Sequence, residues 1–546
     1  MPRSTPPPSA TPPKAPPRLP APWVQVAALG LVLCTPLLLV GMPPLTDLPN
    51  HMVRMMLLAG QLEGSAFARH FSVHWVFVPN LGMDLLVPPL LAFLSPAAAA
   101  KVLVAVIVAG WVGGLALLGR ALHAGPGGAR WSPWFLTAAF SAWNGGLLRG
   151  FMNFCLSTML AFWAAGAWLL LRERARSPRA LAGLAVLALP LGFVLFVAHL
   201  FGAFVFGMVL GADALVRAWR AWRPPPPKAG PPQAGPPQAK PWRALLAALL
   251  PPLPAGLMLA ALYAATKVLT VGGRTLPERP ALLWHTLGSA WYSYPVLLGT
   301  LTGLLLLLVL LRARRNGGVA VAPAGLLVLL VMFVLGLALP FAEHGLYYVN
   351  VRFQLMAGVL VSVVFLPWFR DRREARGTAL VLGAMLALRL GVMLIAWSRT
   401  GPYLADVRWI LDQIPPGARV GEVQDDTPAP GISPWVVDLA LPTDYHFPVY
   451  IAALSDRFVP ALFDKPGQQP LEAVPAEVAT ETAMETIRRA VAKEAGQRPI
   501  DPALGYFDMM IVTGTWTGAP PTMLHGRLVR VAQRPGIALY KVVPAS

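Results

Sequence analysis

Asp84-Leu85-Leu86-Val87-Pro88-Pro89-Leu90-Leu91-Ala92-Phe93-Leu94-Ser95 is the stretch on which the topology of this 546-residue chain turns. Read as a membrane span, it inverts every helix after it. Read as a short interfacial or re-entrant piece interrupted by Pro88-Pro89, it leaves them in place. The charge pattern decides between the two. If 84–95 crossed the bilayer, the clusters Arg172 to Arg179 and Arg370 to Arg376 would lie outside the cell, against the positive-inside rule. The whole of 43–97 therefore reads as one long external loop carrying juxtamembrane helices.

Around this stretch the chain has a membrane composition, with 56% hydrophobic and 13% charged residues. Apolar runs predict about eleven transmembrane helices, at 23–42, 98–119, 132–146, 153–171, 180–197, 200–216, 243–266, 286–311, 319–341, 353–369 and 378–397. With the N-terminus inside, the connections holding Arg120 and Arg130, Arg172 to Arg179, Arg217 to Arg243, Arg312 to Arg315 and Arg370 to Arg376 all face the cytoplasm. The net charge of +19 belongs to these connections rather than to a basic patch interleaved with aromatics, so nucleic acid is not an expected partner. Residues 1–22, rich in Pro, Ser and Ala, read as a disordered cytoplasmic N-terminus. Residues 217–243, with Pro224 to Pro227 and a repeated Ala-Gly-Pro-Pro-Gln, read as a Pro-rich cytoplasmic linker. The two cysteines, Cys34 and Cys155, lie in separate apolar runs and imply neither a disulfide framework nor a metal site.

After Trp397 the character changes. Sixteen of the twenty-five acids fall in 398–546. Helical patterns at 402–414 and 475–495 and strand-like runs at 418–423, 506–513, 528–532 and 538–543 predict an external α/β domain, read as a folding or docking module. In residues 1–397, Glu173, Asp213, Asp371 and Glu374 sit beside cytoplasmic arginines. The other five acids, Asp47, Glu63, Asp84, Glu278 and Glu343, all map to the external side. His51, His70, His74, His199, His285 and His344 gather there as well, with Arg54, Arg149, Lys267, Arg274 and Arg352. A site, if the chain has one, faces outward. His70 and His74 have the spacing of one helical turn, which suits metal ligation or a solvated amphipathic face. Glu63 suits the polar face of the helix that follows His51, and Arg149 and Arg352 also suit headgroup snorkelling.

Two short motifs stand out on that side. One is Asp47-Leu48-Pro49-Asn50-His51-Met52-Val53-Arg54, where Pro49 starts a helix, Asp47 lies at its N-cap, and His51 and Arg54 share a face. The other is the hairpin Asn144-Gly145-Gly146-Leu147-Leu148-Arg149-Gly150-Phe151-Met152-Asn153. A carboxylate beside a span is costly and marks a functional-site hypothesis, which makes Asp47 the first candidate.

These motifs, the first-loop acid and the external C-terminal region resemble the GT-C superfamily of integral-membrane glycosyltransferases, which includes protein O-mannosyltransferases and lipid A aminoarabinose transferases. The similarity is to a bacterial branch with Asp-x-Pro-x-His-x-x-Arg and Asn-Gly-x-x-x-Gly-Phe-x-Asn-Phe motifs, and it covers residues 23–400. Here Arg149 is inserted before Gly150. The resemblance implies a bacterial inner-membrane enzyme that moves a sugar from a polyprenyl-phosphate donor to an envelope glycan, lipid or protein acceptor at the periplasmic face. It implies Asp47 as general base or acceptor-orienting acid, with Asp84 available as a second acid. Arg149 and Arg352 would bind phosphate, and His51, Arg54, Asn153 and His199 would line the substrate site. A divalent metal is left open, because Thr46 and Leu48 stand where many members carry a paired acid. A transporter or flippase of an amphiphilic envelope substrate and a noncatalytic envelope assembly protein are the alternatives. The first needs mid-membrane polar groups, for which Arg389 and the region of Pro190 are the candidates.

Overall fold

The computed structural model describes residues 22–124, 132–223, 241–266, 289–292, 296–343, 346–424, 445–463, 468–491, 501–514, 524 and 527–543. The expected N-terminal disorder (1–21), the core of the Pro-rich linker, Lys267, Arg274, Glu278, His285 and His344 lie outside the described residues, as does the side chain of Glu343.

The protein is mostly helical, with six described helices long and apolar enough to cross a membrane. The chain opens with α1 (Pro22–Leu33), the juxtamembrane helices α2 (Leu48–Leu58) and α3 (Gly82–Leu90), and α4 (Pro96–Leu122). The α3 helix has only nine residues and contains Pro88 and Pro89, so the stretch that decides the topology does not span. Next come α5 (Met152–Arg174), α6 (Pro178–Ala198) and α7 (Leu200–Trp222). The bundle continues with α8 (Pro241–Leu249), α9 (Leu253–Ala265), α10 (Val296–Asn316), α11 (Pro323–Ala338), α12 (Val349–Val364) and α13 (Arg372–Trp397).

Four expected spans are broken. The run 23–42 is helical only to Leu33, with a 3-10 turn at Thr35–Leu38 after it, and in 286–311 a 3-10 turn at Ser289–Trp291 stands apart from α10. The run 243–266 is divided into α8 and α9 around Pro251-Pro252, because proline removes a backbone donor and obstructs the preceding turn. The run 132–146 forms no single helix. It holds a 3-10 turn at Pro133–Phe135, a five-residue helix at Leu136–Phe140 and a short turn at Gly145–Leu148. Its ends nevertheless reach opposite ends of the bundle. Ser132 and Trp134 line a cavity of about 140 Å3 with Arg120 and His123, whereas the Arg149 carbonyl accepts the Asp47 N–H. The pairing of α4 with α5 explains the crossing. Positions 110, 114 and 166 meet Met159, Phe162 and Leu117–Leu118 in rising order, so these helices run parallel and the chain must return between them. Glycines at 110, 113 and 114 allow this close approach, since a Cβ there would stand 2.4–2.9 Å from α5 side chains.

The arginine-rich turns share one end of the bundle. Arg217 pairs with Glu173 and Asp213, and Arg312 with Glu374. Strands β2 (Val319–Val321) and β3 (Phe365–Pro367) close the same end, where His123 meets the Val363 carbonyl.

From the other end, α13 passes almost directly into α14 (Thr400–Leu411). A four-stranded sheet follows, built from β4 (Val420–Gln424), β6 (Met509–Thr513), β7 (Leu528–Arg534) and β8 (Ile537–Val542) in the order β4-β6-β8-β7. Strands β4 and β6 are parallel and joined through α16 (Pro475–Val491). The remaining pairs are antiparallel. Ile511, Ile537 and Leu539 on one face join the main core with Tyr403, Val407 and Ile410. Met510, Val512 and Tyr540 on the other pack against Met484 and Ile487 in a second core.

The segment before α16 is built into the first loop. Helix α15 (Phe447–Leu454) packs on α2, and β1 (Phe71–Val73) pairs with β5 (Leu471–Ala473). The Ala66 N–H donates to Asp456 Oδ1 at 2.9 Å, and the His70 ring stacks on Phe458 at 3.8 Å. His70 and His74 therefore flank a strand instead of sharing a helical turn. Because α2 ends at Leu58, Glu63 falls in the turns after it.

Candidate functional site

The site begins with two backbones laid against each other. Asn144 caps the turn that follows it, its Oδ1 accepting the N–H groups of Gly146 (2.9 Å) and Leu147 (3.1 Å). The turn runs into Gly150 at φ +85°, a left-handed conformation natural to glycine. A Cβ there would lie 2.6 Å from the Asp47 nitrogen and 2.7 Å from that of Leu48. Without one, the Thr46 N–H donates to the Leu148 carbonyl at 3.1 Å and the Asp47 N–H to the Arg149 carbonyl at 2.9 Å. The two sequence motifs are thus zipped together, and Asp47 is fixed where the hairpin meets α2.

Asp47 occupies the N-cap position of α2 but makes no capping bond with its side chain. Its carboxylate is 17% exposed and faces His446 Nε2 at 3.5 Å. Arg352 lies in the first turn of α12, directly after Tyr348, which holds the strained φ of +60°. Its guanidinium sits 5.0 Å from the Phe151 ring and 5.9 Å from Phe154. Among the described residues no salt bridge reaches it, and its Nε is buried without a hydrogen-bond partner. The Arg149 guanidinium rests 5.0 Å above the Tyr348 ring. His199 joins α6 to α7, and its Nδ1 accepts the Phe201 N–H at 3.0 Å, which leaves the ring proton on Nε2 in the neutral form. Its ring meets Phe154 edge-on at 6.0 Å. Arg352 and His199 thus meet at the Phe151 and Phe154 rings, Arg149 joins them through Tyr348, whose ring lies 5.5 Å from Phe151, and Asp47 is tied to the same hairpin by its backbone.

The other sequence candidates are held differently. Asp84, expected as a second acid, is fully buried against Arg54. Nε to Oδ1 is 2.8 Å and Nη2 to Oδ2 is 3.5 Å, while Arg54 Nη1 donates to Gln469. Both carboxylate oxygens are thereby engaged. Asn153 clamps the start of α3: its Oδ1 accepts the Met83 N–H at 2.6 Å, and its Nδ2 donates to the Asn80 carbonyl at 2.6 Å. Among the described residues His51 Nδ1 is buried without a partner, and the ring packs 5.7 Å from Phe463. Burial, then the Arg54 charge and His446, hold this imidazole well below its ordinary 6.5. Arg389 is fully employed. It donates to the carbonyls of Phe140, Trp291 and Tyr292 and to Thr302 Oγ1 at 2.8–2.9 Å, which binds up the mid-span charge that a transporter would use.

His446 was absent from the sequence candidates. It belongs to no motif, and it stands nearly four hundred residues from Asp47 in the acid-rich C-terminal region. The one local sign is Tyr445-His446-Phe447-Pro448 opening an apolar helix. Among the described residues, no three His, Cys, Asp or Glu side chains form a set able to hold a metal ion. No protein-family model, no curated protein and no solved structure matches this chain.

Proposed function

We propose that this polytopic helical protein is a GT-C-type glycosyltransferase of a bacterial inner membrane. It takes a sugar from a polyprenyl-phosphate donor and passes it to an envelope acceptor at the periplasmic face. The observation that carries this reading is Arg352, a cation without a salt bridge among the described residues, its Nε buried without a partner and its guanidinium set over Phe151 and Phe154. A desolvated guanidinium in that condition suits an anionic ligand, and its planar fork matches phosphate. Arg149 and the Nε2–H of His199 supply further positive and donor groups beside the same cluster of rings. The sidedness rests on charge: the arginine-rich turns collect at the opposite end of the bundle, which suits a cytoplasmic face.

In this reading Asp47 removes the proton from the acceptor hydroxyl. The acceptor oxygen bonds to the anomeric carbon, and the bond from that carbon to the phosphate oxygen breaks. Its electron pair stays on the polyprenyl phosphate, whose added negative charge Arg352 stabilises. The Arg54–Asp84 pair and Asn153 hold α2 and α3 in position behind the site.

The test is transfer in proteoliposomes with synthetic polyprenyl-phosphate glucose, galactose, mannose, N-acetylglucosamine and arabinose, using envelope extract as acceptor. Asp47→Asn should lower kcat about 10²- to 10⁴-fold with unchanged thermal stability. Full activity of that variant would sink the reading. If activity vanished only on deleting 398–546 while Asp47 and Arg352 tolerated alanine, the assembly-protein alternative would replace it.

A further inference from the structure

Among the described residues the C-terminal region reaches the site with one imidazole, and its surroundings are more constrained than docking alone requires. His446 is 5% exposed. Its ring meets Phe463 at 5.0 Å and Tyr445 at 4.8 Å, edge-on in both cases. On one side, Nδ1 faces Asn50 Nδ2 at 3.4 Å. The orientation of that amide is fixed independently. Asn50 Oδ1 accepts the Phe463 N–H at 3.0 Å, and Nδ2 also donates to the Ala461 carbonyl. Nitrogen, not oxygen, is therefore turned toward the imidazole, so Nδ1 is the acceptor and the ring proton sits on Nε2. Nε2 is the atom that faces Asp47 Oδ1 at 3.5 Å. Asn50 and Asp47 both belong to the entry of α2, so one short stretch of the first loop reads both ring nitrogens of a residue from the far end of the chain.

We infer that His446 is a positioning residue for Asp47: its Nε2–H holds one carboxylate oxygen and leaves the other aimed at the acceptor. This rests on the proposed transferase reading, in which Asp47 is the base. It adds that the catalytic unit is composite, with the membrane bundle supplying the phosphate cations and the C-terminal region setting the geometry of the base. The 3.5 Å separation is long for a charge-assisted bond, as apo catalytic contacts often are, and it shortens when the acceptor is bound.

Two substitutions separate the donor from the volume. His446→Phe keeps an aromatic ring against Phe463 and Tyr445 but has no N–H, whereas His446→Gln offers an amide N–H. In the proteoliposome assay, His446→Phe should lower kcat about 10- to 100-fold with the donor KM unchanged, since the phosphate is held by Arg352. His446→Gln should recover most of that loss. In an Asp47→Asn background, His446→Phe should cost nothing further. A spectroscopic arm needs no substrate: in protein labelled with [15N]histidine, the ring absent from His446→Gln should show the Nε2-protonated tautomer, with an Nε2–H resonance that moves in Asp47→Asn. Equal kcat in His446→Phe and wild type, or a resonance indifferent to Asp47, would overturn the inference and leave the transferase reading standing. If Asp47→Asn is itself fully active, the transferase reading is what fails.

Discussion

Asp47 and Asp84 are both acids of the first loop, and each is placed by a neighbour of α2, yet they have opposite fates. Asp84 is wholly buried, and Arg54 grips both its oxygens. Asp47 is partly exposed, caps nothing with its side chain and, among the described residues, meets a distant imidazole. The contrast separates an acid spent on architecture from one whose acceptor capacity remains available. The cations divide the same way: Arg54 donates from all three of its nitrogens, and Arg352 has no salt bridge among the described residues. A third acid, Glu422 on β4, takes another route. Burial pushes its carboxyl up to about 7 while Arg488 pulls against the shift, so near neutrality it keeps its proton much of the time.

The largest effect expected outside the chemistry is at the spent acid. Asp84→Ala strands a buried guanidinium and should cost about 3–5 kcal/mol of stability, measured by unfolding in mixed micelles. A loss below about 1 kcal/mol would erase the distinction between the two acids. Glu422→Gln should stabilise the protein by about 3 kcal/mol above neutral pH. The sign follows from a folded value of about 7 above the ordinary 4.5: wild-type stability from this group is complete below pH 4.5 and lost as pH rises through 7. Denaturation of both proteins from pH 4.5 to 8 checks whether the gap opens in that direction.

Gly150→Ala tests the zipper that carries Asp47. With φ at +85° and a Cβ 2.6 Å from the Asp47 nitrogen, it should cost about 1–3 kcal/mol and lower transfer by more than the stability change explains. Equal activity per folded molecule would detach the hairpin from the base. The smallest effect is His51→Gln. His51 is held neutral, so its contribution is present above pH 6.5 and lost as pH falls below it. The variant should flatten that acid limb by about 1 kcal/mol at pH 5.5, read from melting curves across the range.

Much of the helical frame was legible because an unbroken apolar run needs no partner to be recognised. The charges also sorted the two ends, and the strands at 420–424, 509–513, 528–534 and 537–542 overlap the strand-like runs at 418–423, 506–513, 528–532 and 538–543. The broken crossing at 132–146 was not legible, since its helical interruptions are compensated by burial inside the bundle rather than by local sequence. Asp47, Arg149, His199 and Arg352 could be listed from the charge pattern, but not which of them meet in the folded chain. The pairing of Asp84 with Arg54 could not, because nothing local tells a buried acid that has a partner from one that has none. His446 escaped for the same reason on a longer scale: its role comes from contacts with Asp47 and Asn50 that only the folded chain creates.

The central claim is that Arg352 is the phosphate cation of a lipid-substrate site beside Asp47, and titration of farnesyl phosphate into the purified protein tests it without knowledge of the sugar. Wild type and Asp47→Asn should bind farnesyl phosphate alike, Arg352→Gln should bind it at least about tenfold more weakly, and farnesol should show no such dependence on Arg352. Farnesyl phosphate binding that is unchanged in Arg352→Gln would contradict the account.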